Sequence, residues 1–135
     1  MDGVILTPLK QIHNIKGDIF HAMKKSDNGF DGFGEAYFST IHKDDIKGWK
    51  KHTKMTLNLV VPIGKINFVV YDEYKKEFFN VILSQNNYQR LTVKAGLWMA
   101  FRGVNENSML LNLASIEHDP KEAINIELNE IKYEW

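Results

Sequence analysis

Residues 58–72 read NLVVPIGKINFVVYD. Two apolar, β-branched runs flank Ile63-Gly64-Lys65, whose composition marks a turn, so the stretch predicts strand, turn, strand. Within KINFVVYD, Ile66, Phe68 and Val70 alternate with Asn67, Val69 and Tyr71, the period of a strand covered mainly on one face. The same signal repeats on both sides. Downstream, EFFNVILS (77–84) reads as a strand, QNNY as a turn and QRLTV (89–93) as a short strand. AGLWMAFRG (95–103) and SMLLNLAS (108–115) follow as strands, with IKYEW (131–135) as the last element. Upstream, GVILTPLKQI (3–12) and GDIFHAMKK (17–25) predict strands, SDNGFDGFG (26–34) a glycine-rich loop, and EAYFSTI (35–41) an aromatic, β-branched run. Helix signals are sparse. HKDDIKGW (42–49) suits one turn, and DPKEAI (119–124) offers Asp119 as N-cap with Pro120 at the first helical position. Many short strands separated by turns predict an all-β sandwich or barrel with few or no helices, here a jelly roll.

At 135 residues the chain is one domain, 1–135, long enough to bury a self-sufficient core. Apolar residues make up 44% and charged residues 25%, which excludes disorder. Lys+Arg and Asp+Glu both number 17, so no global field draws the protein to nucleic acid or an anionic membrane. Any anion must be caught by a local cluster. With no cysteine, disulfides, thiolate catalysis and Cys-ligated metals are excluded. No apolar run has the length of a membrane span and residues 1–15 lack a signal-peptide core, so the expected compartment is the cytoplasm.

Chemistry concentrates around KGWKKHTK (47–54). Lys47, Lys50, Lys51 and Lys54 form the one local basic cluster, beside Trp49 and His52; lysines of this kind suit a phosphate, while the general rule that charge runs are surface features favours a solvated turn. Arg90 and Arg102, on other predicted strands, are candidates to converge on the same phosphate. Phe20, Phe30, Phe33, Tyr37, Phe38 and Trp98 are candidates for a ring-binding slot or for core. Lysines precede His52 where a metal-binding cupin wants a second histidine, and residues 53–64 contain no Glu, so no metal or other cofactor is expected. GFDGFG (29–34) lacks the phosphate-loop pattern, and neither a Gly-x-Ser-x-Gly elbow nor a His-Glu-x-x-His pair occurs.

LSQNNYQRLTVKAGLWMAF (83–101) resembles the Leu-Ser-x-x-Asn…Leu-x-Ile-Pro-x-Gly-Phe-x-His-x-Phe segment of the dTDP-4-dehydrorhamnose 3,5-epimerase family, the RmlC-like cupins of nucleotide-sugar metabolism. GEAYFSTIHKDDIKGWK (34–50) is similar to that family's Gln-x-Asn-x-Ser…Arg-Gly-Leu-His, GKINFVVYD (64–72) to its Gly-x-Val-x-Asp-Val-x-Val-Asp strand, and IKYEW to its closing Ile-x-Trp. The resemblance implies a homodimeric cupin acting on a dTDP-linked or similar 4-keto sugar in surface-polysaccharide biosynthesis, with a nucleotide sugar as its ligand. It puts Lys50 in the place of the family's general base, Asn112 in that of its tyrosine proton donor, Met99 in that of a histidine, and Leu57 or Asn58 near an enolate-stabilising lysine. Lys47 replaces a phosphate-binding arginine and Glu35 a substrate-binding glutamine. On this reading Lys50 and His52 are the catalytic candidates, and Glu35, Lys47, Trp49, Asn58, Arg90, Arg102 and Asn112 the substrate-binding ones. The alternative is a non-catalytic nucleotide-sugar- or carbohydrate-binding cupin that has lost the epimerase His/Tyr pair; a metal-dependent cupin ranks third.

Overall fold

The computed structural model describes all of residues 1–135. Twelve strands run in order: β1 Val4–Pro8, β2 Gln11–Ile12, β3 Ile19–Phe20, β4 Glu35–Ile41, β5 Ile46–His52, β6 Leu57–Ile63, β7 Lys65–Asp72, β8 Glu77–Ser84, β9 Gln89–Val93, β10 Trp98–Gly103, β11 Ser108–Ala114 and β12 Ala123–Asn125. A single 3-10 turn, Leu128–Glu130, follows. Strands β1-β9-β6-β11-β4 form one antiparallel sheet, β12-β5-β10-β7-β8 the other, and β2-β3 a small hairpin. No helix is long and apolar enough to cross a membrane.

The turn at Ile63-Gly64-Lys65 is the corner at which the chain changes sheet: β6 pairs with β9 and β11, whereas β7 pairs with β8 and β10. Gly64 has φ 83°, and a Cβ there would lie 2.2 Å from the Ser108 hydroxyl, so glycine suits both the conformation and the space. Leu57, Leu59 and Val61 of β6 and Leu91 and Val93 of β9 meet Ile66, Phe68 and Val70 of β7 between the sheets, together with Ile41, Leu83 and Leu110. Period-2 alternation on facing strands is what produces this layered core.

Both outer faces are also covered. On the first sheet Arg90, Asn58 and Thr92 are buried beneath the 22–31 loop. On the second, Trp49, Val69, Trp98 and Ala100 are buried beneath the C-terminal segment, through Ile126, Leu128, Ile131, Tyr133 and Trp135. That second cover is why β7 reads as one-faced in sequence yet buries Val69 as well. Four sequence expectations shift. Residues 42–45 turn without making a helix and β5 begins at Ile46; residues 120–122 form a turn in which Asp119 accepts the Lys121 N–H, and the chain then extends as β12. In 17–25 only Ile19–Phe20 pairs as a strand, and IKYEW is irregular chain packed on β5 and β10.

Candidate active site between the sheets

A cavity of about 420 Å³ lies between the sheets. Tyr37 and Ser39 of β4, Leu57 and Leu59 of β6, and Leu110 and Asn112 of β11 form one wall. Lys47, Lys50 and His52 of β5, Met99 and Phe101 of β10, and Asn125 of β12 form the other. A regular strand would not present Lys47 and Lys50 to the same face, since three positions apart means opposite sides. Here Lys50 pairs with Met99 and Lys47 with Phe101, so β5 spends one residue more than β10 over this interval, a bulge at Gly48-Trp49. Lys51, between the two cavity-facing positions Lys50 and His52, goes to the outer face, where its ammonium bonds Glu73 at 2.6 Å and lies 4.8 Å from the Trp98 ring centroid.

Gly48 makes the bulge sterically feasible. A Cβ there would sit 2.3 Å from the Ala100 Cβ and 2.8 Å from its Cα. Gly48→Ala should therefore push β5 off β10 and cost up to about 3 kcal/mol, read by calorimetry as a lowered Tm. An unchanged Tm would mean that the two strands do not approach this closely.

His52 is mostly buried, and its Nδ1 lies 2.6 Å from an Oε of Glu122, which is buried in turn. The second Glu122 oxygen accepts the N–H groups of Thr53, Lys54 and Met55, each at 2.9 Å. Burial by itself raises the Glu122 pKa, but the His52 hydrogen bond and the backbone donors of Met55 and Lys54 outweigh it and hold the group down at about 2. Glu122 is thus a carboxylate at neutral pH. It fixes the histidine tautomer with hydrogen on Nδ1 and leaves Nε2 without a protein partner. Across the cavity, the Asn112 Oδ1 accepts the Asn58 N–H at 3.2 Å and its Nδ2 donates to the Tyr37 hydroxyl oxygen at 2.9 Å.

The electrostatics of the cavity are one-sided. Lys47, Lys50 and His52 line it, and no Asp or Glu does. Lys47 donates to the Thr40 carbonyl at 2.6 Å, which orients its ammonium without neutralising it.

Lys47, Lys50, His52 and Asn112 are therefore brought together. Trp49 borders the cavity, but its buried indole donates to the Leu128 carbonyl at 3.1 Å and packs on Trp135. Four of the sequence candidates, Glu35, Asn58, Arg90 and Arg102, bind elsewhere in the chain. Arg90 is fully buried, and its guanidinium is spent on Asp27, Asn58 and the Ala22 and Asn28 carbonyls. Asn58 completes that network through the Gly29 carbonyl and Thr92. Arg102 bonds Asp44, while Glu35 accepts the His118 N–H at 2.7 Å, and neither lines the cavity. Of the six aromatic candidates only Tyr37 does; Phe20 packs on Tyr88 and Trp98 faces outward. Glu122 was missed because it lies 70 residues beyond His52. A carboxylate sought within residues 53–64 is the wrong search when β12 pairs with β5. No group of three His, Cys, Asp or Glu stands close enough to hold a metal ion.

Two antiparallel five-stranded sheets closing on an interior ligand-sized cavity define the class of fold, an all-β cupin jelly roll. The family is narrower still. The chain belongs to the WxcM-like, C-terminal (FdtA) family, whose model matches residues 2–131. Among solved structures it is similar to a dTDP sugar isomerase from Desulfovibrio desulfuricans G20, at 28% identity over 99% of this chain and 91% of that one, with a TM-score of 0.93. QdtA, a sugar 3,4-ketoisomerase from Thermoanaerobacterium thermosaccharolyticum in complex with TDP, is 24% identical over 92% of this chain and 88% of its own, with a TM-score of 0.79. The 3,5-epimerase RmlC from Legionella pneumophila Philadelphia 1, in complex with dTDP-4-keto-L-rhamnose, is 16% identical over 95% and 74%, with a TM-score of 0.82. Those last two likenesses are of fold. Among curated proteins, none matches the chain.

Proposed function

We propose that the protein isomerises or epimerises a dTDP-linked 4-keto sugar by moving a proton on carbon beside the ketone. The observation that carries this reading is the His52–Glu122 dyad, set in a cavity walled by Lys47 and Lys50 and by no acidic side chain. Proton abstraction next to a carbonyl needs a base of near-neutral basicity held against the substrate, and somewhere for the resulting negative charge to go. Nε2 of His52 takes the proton, and the Glu122 carboxylate supplies a counter-charge for the imidazolium. The electron pair moves to the ketone oxygen, which the Lys50 ammonium stabilises. Lys47 serves the diphosphate as a point charge. Of the two catalytic candidates on β5, His52 is thus the base and Lys50 the electrostatic partner. Glu35, Arg90 and Arg102, each engaged within the chain away from the cavity, are left out of the substrate site.

The relatives support the chemistry, because both 3,4-keto isomerisation and 3- or 5-epimerisation begin by removing a proton beside a sugar ketone. We take the protein to act in the cytoplasm as a homodimer. A second reading, a cupin that binds a nucleotide sugar without turning it over, is favoured by one feature: Asn112, which is not an acid, stands where the epimerases have a tyrosine.

Two experiments test the proposal. Incubation with dTDP-4-keto-6-deoxyglucose, followed by NMR, is expected to yield a keto or epimer isomer of the same mass; recovery of unchanged substrate from protein that binds dTDP would favour the second reading. For the anion site, Lys47→Ala should weaken dTDP binding about tenfold, as loss of a charge-assisted contact does, and added salt should weaken wild-type binding in step. Calorimetric titration at two ionic strengths reads both effects. Affinity unmoved by Lys47→Ala would put the diphosphate elsewhere.

A further inference from the structure

Resting on that reading, we infer that Trp49 is a positioning residue: clamped from outside by the C-terminal segment, it holds the bulge that turns Lys47 into the cavity. In a regular strand Lys47, Trp49 and Lys51 would share one face, and Trp49 and Lys51 do pack on the outer one. Lys47 nevertheless lines the cavity, because β5 carries its extra residue at Gly48-Trp49. Straightening that bulge would send Lys47 to the outer face with the other two. Something must therefore hold Trp49 where the bulge puts it.

Three contacts do so, and all come from residues 126–135. Trp49 and Ile126 exchange backbone hydrogen bonds, the Trp49 N–H to the Ile126 carbonyl at 3.3 Å and the Ile126 N–H to the Trp49 carbonyl at 3.1 Å. The indole N–H donates to the Leu128 carbonyl at 3.1 Å. The Trp135 ring packs on the indole with centroids 6.1 Å apart. Trp49 is fully buried under this cover, and neither Leu128 nor Trp135 lines the cavity.

The other cavity groups of β5 are held independently. Lys50 pairs with Met99 on one side and Asn125 on the other, and His52 is bonded to Glu122. Loosening the clamp thus bears on Lys47, the group assigned to the diphosphate, and leaves the base and its electrostatic partner in place. A residue that merely stabilised the fold would lower Tm without choosing among the cavity groups. One that positions Lys47 loses its effect on binding once Lys47 is gone.

The test is a double-mutant cycle on dTDP affinity, by titration calorimetry, with Trp135→Ala and Lys47→Ala made singly and together. Trp135→Ala should weaken dTDP binding about fivefold, short of the loss expected of Lys47→Ala, and in the Lys47→Ala background it should cost less than about twofold. Saturating turnover of dTDP-4-keto-6-deoxyglucose should stay within about threefold of wild type, so that the loss falls on KM. Trp135→Phe, which keeps a ring against the indole, should restore the affinity. If Trp135→Ala does not fold by circular dichroism, Trp49→Phe, which keeps a ring and drops the bond to Leu128, takes its place in the cycle with the same expectation. Equal losses in both backgrounds would make the clamp a stabilising contact only and overturn the assignment. Undiminished dTDP affinity in the folded variant would overturn it too. Wild type without affinity for dTDP would remove the proposed function itself, and this assignment with it.

Discussion

His52→Asn should reduce turnover of a dTDP-4-keto sugar by at least about a thousandfold while leaving dTDP affinity within a few-fold of wild type. Asparagine is smaller than histidine, and its amide can still donate toward Glu122, so the backbone donors of residues 53–55 keep their acceptor and the strand keeps its place. What disappears is Nε2, the one ring nitrogen without a protein partner. The cationic wall of Lys47 and Lys50 is untouched, which is why binding survives. Rates come from NMR of the sugar-ring protons and affinity from titration calorimetry on the same preparation. Turnover within tenfold of wild type would move the base elsewhere, with Lys50 the first residue to examine.

Glu122→Gln should be costly twice, once in stability and once in rate. The carboxylate holds His52 and accepts three consecutive backbone N–H groups, and it is buried. Glutamine keeps the shape but offers one acceptor oxygen, and its NH₂ is set against donors. Breaking a buried, hydrogen-bonded charge in this way costs about 3 kcal/mol. The pH dependence follows from the same group. Its pKa is lowered from 4.5 to about 2 on folding, so its contribution is fully present above about pH 4.5 and is lost as pH falls toward 2. Urea unfolding at pH 7 should show the full difference between wild type and variant, and at pH near 2 the difference should shrink. The rate should drop about 100-fold, because the ring loses both its fixed tautomer and the counter-charge for its imidazolium. A variant as stable as wild type at pH 7 would mean that the carboxylate is not holding the 53–55 turn.

The strands were legible because β-sheet information is local. EFFNVILS and QRLTV match β8 and β9 residue for residue, and EAYFSTI matches β4. Where two physical signals competed, sequence misled. Asp119-Pro120 is a sound helix start, but the chain from Ala123 is drawn into pairing with β5. The candidate site was readable on β5, where Lys47, Lys50 and His52 lie within one strand. Their common face was not, since it depends on a bulge, and a bulge is a property of the pair β5 and β10. Arg90 shows the opposite failure. An arginine on a strand looks free to meet a phosphate until the 22–31 loop folds over it. Glu122 and Tyr37 reach the site through long-range pairing, which no local pattern encodes. The resemblance led to Asn112; only the register shows that a phenol stands beside it on the next strand.

The central claim is that His52 removes a proton from carbon beside a ketone. The most direct measurement is deuterium entry at C3 and C5 of dTDP-4-keto-6-deoxyglucose in deuterated water, by NMR, with wild type and His52→Asn side by side. Protein-dependent exchange in the wild type, lost in the variant while dTDP binding persists, is the predicted result. Exchange that survives His52→Asn, or none from wild type that binds dTDP, would contradict it.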